Sequence, residues 1–184
     1  LTLIKIMKVA DVPTEFLRAF RTLIEESFGE KNPVNCRLAA TLMVLIASHT
    51  SFQFDWELIS LALDTIDDFT QRPEVVSSIL VAIVTIIKRD SCKQFEVRRV
   101  LSMLESLKEF CMNDDDSYLE YCEALLTLIQ TLISKYEGDT TVSSLVLPIF
   151  LALTNEMQAK NIINVIILHF YVSILDVYAS KQSL

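Results

Sequence analysis

Residues that reverse the chain are scarce here. Two glycines and four prolines serve 184 residues, too few for the many tight turns of a β protein of this size. That scarcity excludes a sheet-rich fold and predicts long helices joined by short turns. Histidine is nearly absent, at positions 49 and 169 only, and the four cysteines (Cys36, Cys92, Cys111, Cys122) form no CxxC spacing. No compact Cys/His cluster therefore exists to build a tetrahedral zinc site. Gly29 and Gly138 stand alone, so there is no glycine-rich phosphate loop, and each glycine is expected just past a helix as a C-terminal cap. Neither histidine stands beside a Ser, Cys or carboxylate in a nucleophile motif. His49 is expected to end a helix and His169 to be a satisfied interior or groove residue. The sequence thus points away from an enzyme and implies no catalytic residue, metal or cofactor.

Positive charge is also in deficit. Sixteen Lys and Arg against 24 Asp and Glu leave a formal net charge of −8, with a pI near 4.8. Attraction to a phosphate backbone is weak for such a chain, which argues against nucleic acid as a partner. No apolar run reaches the roughly 20 residues needed to span a bilayer. The longest candidate, Ile162 to Leu175, is about fourteen residues long and contains Asn164 and His169, so it reads as a buried helix and not as a membrane anchor. The N-terminal apolar run is too short for a signal peptide and lacks a small-residue cleavage site after it, and the chain does not begin with Met. An excised segment of a longer intracellular protein, cytoplasmic or nuclear, with reduced and mostly buried thiols, is the expectation.

Apolar side chains are abundant: 52% of residues are hydrophobic and the mean hydropathy is +0.41. They recur with a long period. Pro33 opens one apolar run and Pro73 another, 40 residues on, each proline standing where a helix begins and its missing N–H costs nothing. Ser117 opens a third run 44 residues later, and a fourth begins near Gln158, 41 further on. Each run follows another helix. Residues 14 to 28 place Phe16, Phe20, Leu23, Ile24 and Ser27 on one stripe. Residues 55 to 69 do the same with Ile59, Ala62, Leu63, Ile66 and Phe69, residues 95 to 111 with Val97, Val100, Leu101, Leu104, Leu107 and Cys111, and residues 142 to 153 with Val142, Leu145, Val146, Ile149, Phe150 and Leu153. Thr14, Asn32, Asp55 and Asp116 or Ser117 lie where a side-chain oxygen caps a helix N-terminus. The first member of each pair keeps a polar face, whereas the second, above all Val75 to Ile87 and Ile162 to Leu175, is apolar almost all round. Such a helix has to be covered on several sides, as in the inner layer of a stacked array. A simple four-helix bundle needs only one stripe per helix and no 40-residue period.

These features resemble HEAT repeats, whose units are two antiparallel helices of about 40 residues. Cys36-Arg37-Leu38-Ala39-Ala40, followed by Val44, is similar to the start of a HEAT second helix. Leu145-Val146-Leu147-Pro148-Ile149-Phe150-Leu151 resembles a first helix kinked by proline. Gln94-Phe95-Glu96-Val97-Arg98-Arg99 also resembles the start of a second helix, which leaves the phase of the third unit and the choice between HEAT and armadillo open. The resemblance implies an all-α solenoid of about four antiparallel helix pairs, near 14–48, 55–89, 95–135 and 142–180, in one helical repeat domain over 1–184. Leu1 to Lys8 reads as the remnant of an earlier helix.

For a solenoid, the implied work is that of a scaffold or adaptor whose surface binds a peptide or helix of another protein, with no membrane involved. Two other readings are a fragment of a nuclear transport receptor that binds cargo or a small GTPase, and a helical domain of an RNA-processing or translation factor. The candidate contact residues fall into three groups. Trp56 sits at the first turn of a helix beside Phe52 and Phe54, where tryptophan either closes the core between pairs or anchors a partner. Glu57, Asp64, Asp67 and Asp68, with Ser60 between, follow helical spacing on an outer face. They suit a basic peptide or simple solvation, since acid–base chemistry needs a desolvated cleft that a convex face lacks. Lys88, Arg89, Lys93, Arg98 and Arg99 make a dense basic patch, five cations against Asp90 and Glu96 within twelve residues, suited to surface ion pairs or to an acidic or phosphorylated segment. Asp114, Asp115 and Asp116 are expected to favour a helix N-terminus.

Overall fold

A computed structural model describes residues 13–49, 52–89, 97–107, 117–136, 140–159 and residue 172. Among them the chain forms seven helices: α1 (Thr14–Gly29), α2 (Pro33–His49), α3 (Trp56–Asp68), α4 (Pro73–Arg89), α5 (Val97–Leu107), α6 (Ser117–Lys135) and α7 (Thr140–Ala159). The two prolines do open α2 and α4, and both of these helices run for 17 residues. His49 ends α2 as expected. Two compact units are distinguishable, Leu1–Glu96 and Val97–Leu184.

The first unit holds α1 to α4. Helix α1 packs on α2 and α3 on α4, while α1 also meets α3 and α2 makes the most extensive contact with α4. First helices thus lie beside first helices and second beside second, in two layers. Short turns enforce the pairing. After α1 the chain turns through Glu30 N–H to the Glu26 carbonyl (2.9 Å) and Lys31 N–H to the Phe28 carbonyl (3.2 Å). After α3, Phe69 N–H bonds to the Ile66 carbonyl (2.9 Å) and Arg72 N–H to the Phe69 carbonyl (2.8 Å). Asn32 caps α2, its Oδ1 accepting from the N–H groups of Val34 (2.9 Å) and Asn35 (3.3 Å). Asp55 caps α3 by accepting from Leu58 N–H at 3.0 Å. Thr14 does not cap α1: Pro13 holds the cap position with φ −56° and ψ 143°, and Thr14 is already helical. The expected cap before α6 lies partly outside the described residues, because Asp116 does.

The core follows the pattern closely in α3 and α4. Ile59, Ala62, Leu63, Ile66 and Phe69 are all buried. In α4 eleven residues from Pro73 to Ile87 are buried, leaving Val81 as its exposed large apolar side chain. Helix α2 differs, since Cys36, Ala39, Ala40, Met43, Ile46 and Ala47 are buried while Val34 and Leu38 are exposed. Helix α1 departs further from its sequence reading. It buries Ile24 and Phe28, half-buries Leu17 and Phe20, and leaves Phe16 59% and Leu23 51% exposed. Two apolar stripes overlap on this helix, and the one turned inward is the one adjoining Arg21, which reaches across to the α3 cap.

In the second unit α7 packs on both α6 and α5. Helix α5 is strongly two-faced, with Val100, Leu101, Leu104 and Leu107 buried and Arg98, Arg99, Ser102 and Ser106 exposed. Helix α6 is buried nearly all round from Tyr121 to Ile133. Its Tyr121 hydroxyl donates to the Leu107 carbonyl at 2.8 Å, tying the end of α5 to α6. In α7, Val142, Val146, Ile149, Phe150 and Leu153 are buried as the spacing predicts, and Pro148 sits inside the helix on its exposed side. Helices packed against one another within each unit are compatible with the helical-repeat class.

Candidate functional site

The chemistry-bearing residues of the first unit gather where α3 begins. Its N-terminus is fixed by Asp55, and the same carboxylate accepts from the Arg21 guanidinium of α1. Arg21 also donates through Nε to Glu25 Oε1 at 2.8 Å and lies 3.5 Å from Glu57 Oε2. The Glu25 and Asp55 carboxylates, led by the Glu25 hydrogen bond, raise its pKa above its ordinary value even though partial burial opposes them. Arg21 therefore fastens α1 to the head of α3. An Arg–Glu pair four residues apart on α1 was legible in the sequence; the two partners on α3 were not.

Trp56, the first residue of α3, is half-buried. Just before it, Phe52 and Phe54 meet edge to face, with ring centroids 5.1 Å apart and planes at 89°, a favoured aromatic geometry. Phe54 is buried and Phe52 half-buried. The aromatic cluster expected beside the tryptophan is thus present as a joined pair that leads into the helix.

Of the acidic series, Glu57, Asp64, Asp67 and Asp68 are all exposed on α3. Within the same chain Glu57 faces Arg21, and Asp68 accepts from Lys31 Nζ, with its two oxygens at 3.0 and 2.9 Å. Lys31 holds a positive φ of 51° in the turn between α1 and α2. The left-handed position expected of glycine thus falls to a lysine, and Gly29 is instead the last residue of α1, followed by Glu30 in right-handed helical geometry. Gly138 lies outside the described residues.

The basic patch is divided. Lys88 and Arg89 are exposed in the last turn of α4, where cations complement the negative end of the helix. Arg98 and Arg99 are exposed in the first turn of α5, in the other unit, and Lys93 lies outside the described residues.

Cys36 is buried, with its thiol donating weakly to the Ser27 carbonyl at 3.6 Å. Burial, followed by the charges of Asp68 and Glu30, pushes its pKa up, which makes it a poor nucleophile at neutral pH. Cys122 is buried too, while Cys92, Cys111 and His169 fall outside the described residues. No cluster of three or more His, Cys, Asp or Glu side chains suited to a metal occurs among the described residues. No described helix is long and apolar enough to cross a membrane. Of the Ile162 to Leu175 stretch, only Val172 is described; it is helical and exposed.

No family model, curated protein or solved structure matches this chain.

Proposed function

We propose that this chain is a HEAT- or armadillo-type solenoid module that serves, without enzymatic activity, as a scaffold or adaptor binding a peptide or helix of another protein. The observation that carries the reading is the two-layer packing of the first unit, in which α1 meets α3 and α2 meets α4 while each pair stays joined by a short turn. Stacking of this kind generates continuous ridges of exposed side chains, the surface on which repeat proteins hold their partners. The nearly all-round burial of α4 and α6 also supports the reading, since inner-layer helices need cover on several sides. This step from fold to task is one of analogy between architectures.

Within that reading Trp56 is the anchor, being half-exposed at the head of α3, with Glu57, Asp64, Asp67 and Asp68 along the same helix for a basic stretch of the partner. Lys88 and Arg89 in the first unit, and Arg98 and Arg99 in the second, each suit an acidic or phosphorylated stretch. The test is affinity capture with the 184-residue chain followed by mass spectrometry, then titration of the captured partner against variants. Trp56→Ala or the double change Arg98→Ala/Arg99→Ala should weaken binding at least tenfold, about 1.4 kcal/mol or more. Unchanged affinity in both variants sinks the choice of residues, and a hydrolase or transferase activity in the purified chain sinks the scaffold itself.

A further inference from the structure

Helix α1 is held unevenly along its length. Its last turns bury Ile24 and Phe28. They lead into a turn closed by the N–H groups of Glu30 and Lys31, by the Asn32 cap and by the pair between Lys31 and Asp68. In residues 15–21 no side chain is buried: Leu17, Phe20 and Arg21 are half-covered, and Glu15, Phe16, Arg18 and Ala19 are exposed. Helix α4, by contrast, buries eleven of its 17 residues. Apolar burial is the main term that keeps a helix docked, so the first half of α1 is far cheaper to lift than the second.

What the first half has in place of a core is Arg21. Its guanidinium bonds to the Asp55 carboxylate, lies 3.5 Å from Glu57 Oε2, and is braced from within α1 by Glu25 at 2.8 Å from Nε. These side chains remain open to water, from 34% at Arg21 to 87% at Glu57, so salt screens them and their attraction is modest. Asp55 also caps α3 through Leu58 N–H at 3.0 Å. A carboxylate already fixed in this way loses little further freedom when a guanidinium docks on it.

We infer that the first half of α1, residues 14–21, is an arm that opens from the first unit by itself, pivoting ahead of Ile24, and that Arg21 on the head of α3 is its latch. Opening gives up the half-burial of Leu17 and Phe20 and the pairs of Arg21 with Asp55 and Glu57. Ile24, Phe28, the turn into α2 and the cap of α3 stay in place. Local openings of this kind draw on segments with few buried apolar contacts. The device needs no partner and stands apart from the scaffold reading.

Hydrogen exchange, resolved by residue on the whole chain and corrected for intrinsic rates, tests it. At low salt the amides of residues 18–21 should exchange at least about tenfold faster than those of residues 24–28, yet slower than in an unstructured peptide. Raising the salt to about 1 M should speed residues 18–21 by about two- to fivefold and leave residues 24–28 and α4 unchanged. Arg21→Met, which keeps an apolar stem, should give a similar acceleration at low salt and abolish the response to salt. Asp55→Asn retains an oxygen for Leu58 N–H, so it should reproduce Arg21→Met in α1 without speeding exchange in α3. Three results overturn the inference. Residues 18–21 exchange in step with residues 24–28, so that α1 opens as one piece. Their rates ignore both salt and Arg21→Met, so that the helix end frays without a latch. Arg21→Met speeds exchange in α1, α2 and α4 alike, so that Arg21 supports the whole unit and not an arm.

Discussion

Gly29 occupies a helical position at the end of α1, with nothing within 4 Å of where a Cβ would stand. An alanine there narrows the unfolded ensemble and meets no neighbour, so Gly29→Ala should stabilise the protein by about 0.5–1 kcal/mol, read as a rise of a few degrees in Tm. Cys36 offers a second test at this scale. Its thiol is held neutral by burial, so its folded pKa lies above its unfolded one. A raised thiol pKa contributes stability that is complete below the unfolded value, 9.0, and is lost as pH climbs through the folded value, because only the unfolded chain then gains from deprotonation. Urea denaturation at pH 7, 9 and 10 should show this alkaline loss, and Cys36→Ala should lack that component of it. If the variant and the parent fall alike between pH 9 and 10, Cys36 is not the source. Lys31 shows why such local features are hard to read from residue types. Its bond to Asp68 depends on where α3 ends, 37 positions further on.

Among the helices, α4 carries the sharpest contrast between neighbouring positions. Ile79 is fully buried and Val81, two residues on, is 44% exposed. Ile79→Ala should cost about 2–5 kcal/mol, whereas Val81→Ala should shift stability by less than about 0.5 kcal/mol; urea midpoints separate the two directly. Equal losses would mean that α4 is turned otherwise than described. The sequence made α3 and α4 legible because α3 carries one dominant apolar arc bounded by charged residues and α4 a nearly continuous apolar run, whereas α7 runs on to Ala159, through Gln158 where a further helix was expected to begin. It misled on α1. There, two arcs compete, Phe16-Phe20-Leu23 and Leu17-Ile24-Phe28, and periodicity alone has no means of choosing between them. The buried arc is the one on the side of Arg21, which engages Asp55, a partner 34 residues away. The candidate site was legible to a lesser degree for the same reason. The aromatic cluster around Trp56 and the caps at Asn32 and Asp55 are local and were predicted, while the ion pairs that occupy Glu57 and Asp68 arise from packing.

For the whole chain, the formal charge of −8 sets an expectation independent of any residue-level map. Generic RNA or heparin should not retain the protein at about 0.15 M salt, where acidic surfaces gain nothing from counterion release. Salt-dependent retention would favour an RNA-processing role over the scaffold. The layering of the first unit has a kinetic consequence as well. Its principal contacts join helices that are adjacent or next but one along the chain, so no early segment has to wait for a distant one before it can be buried. Low contact order of this kind favours folding in milliseconds or faster. It also lets α1 and α2 settle while α3 and α4 are still being synthesised, and each pair that leaves the ribosome then finds its template already in place.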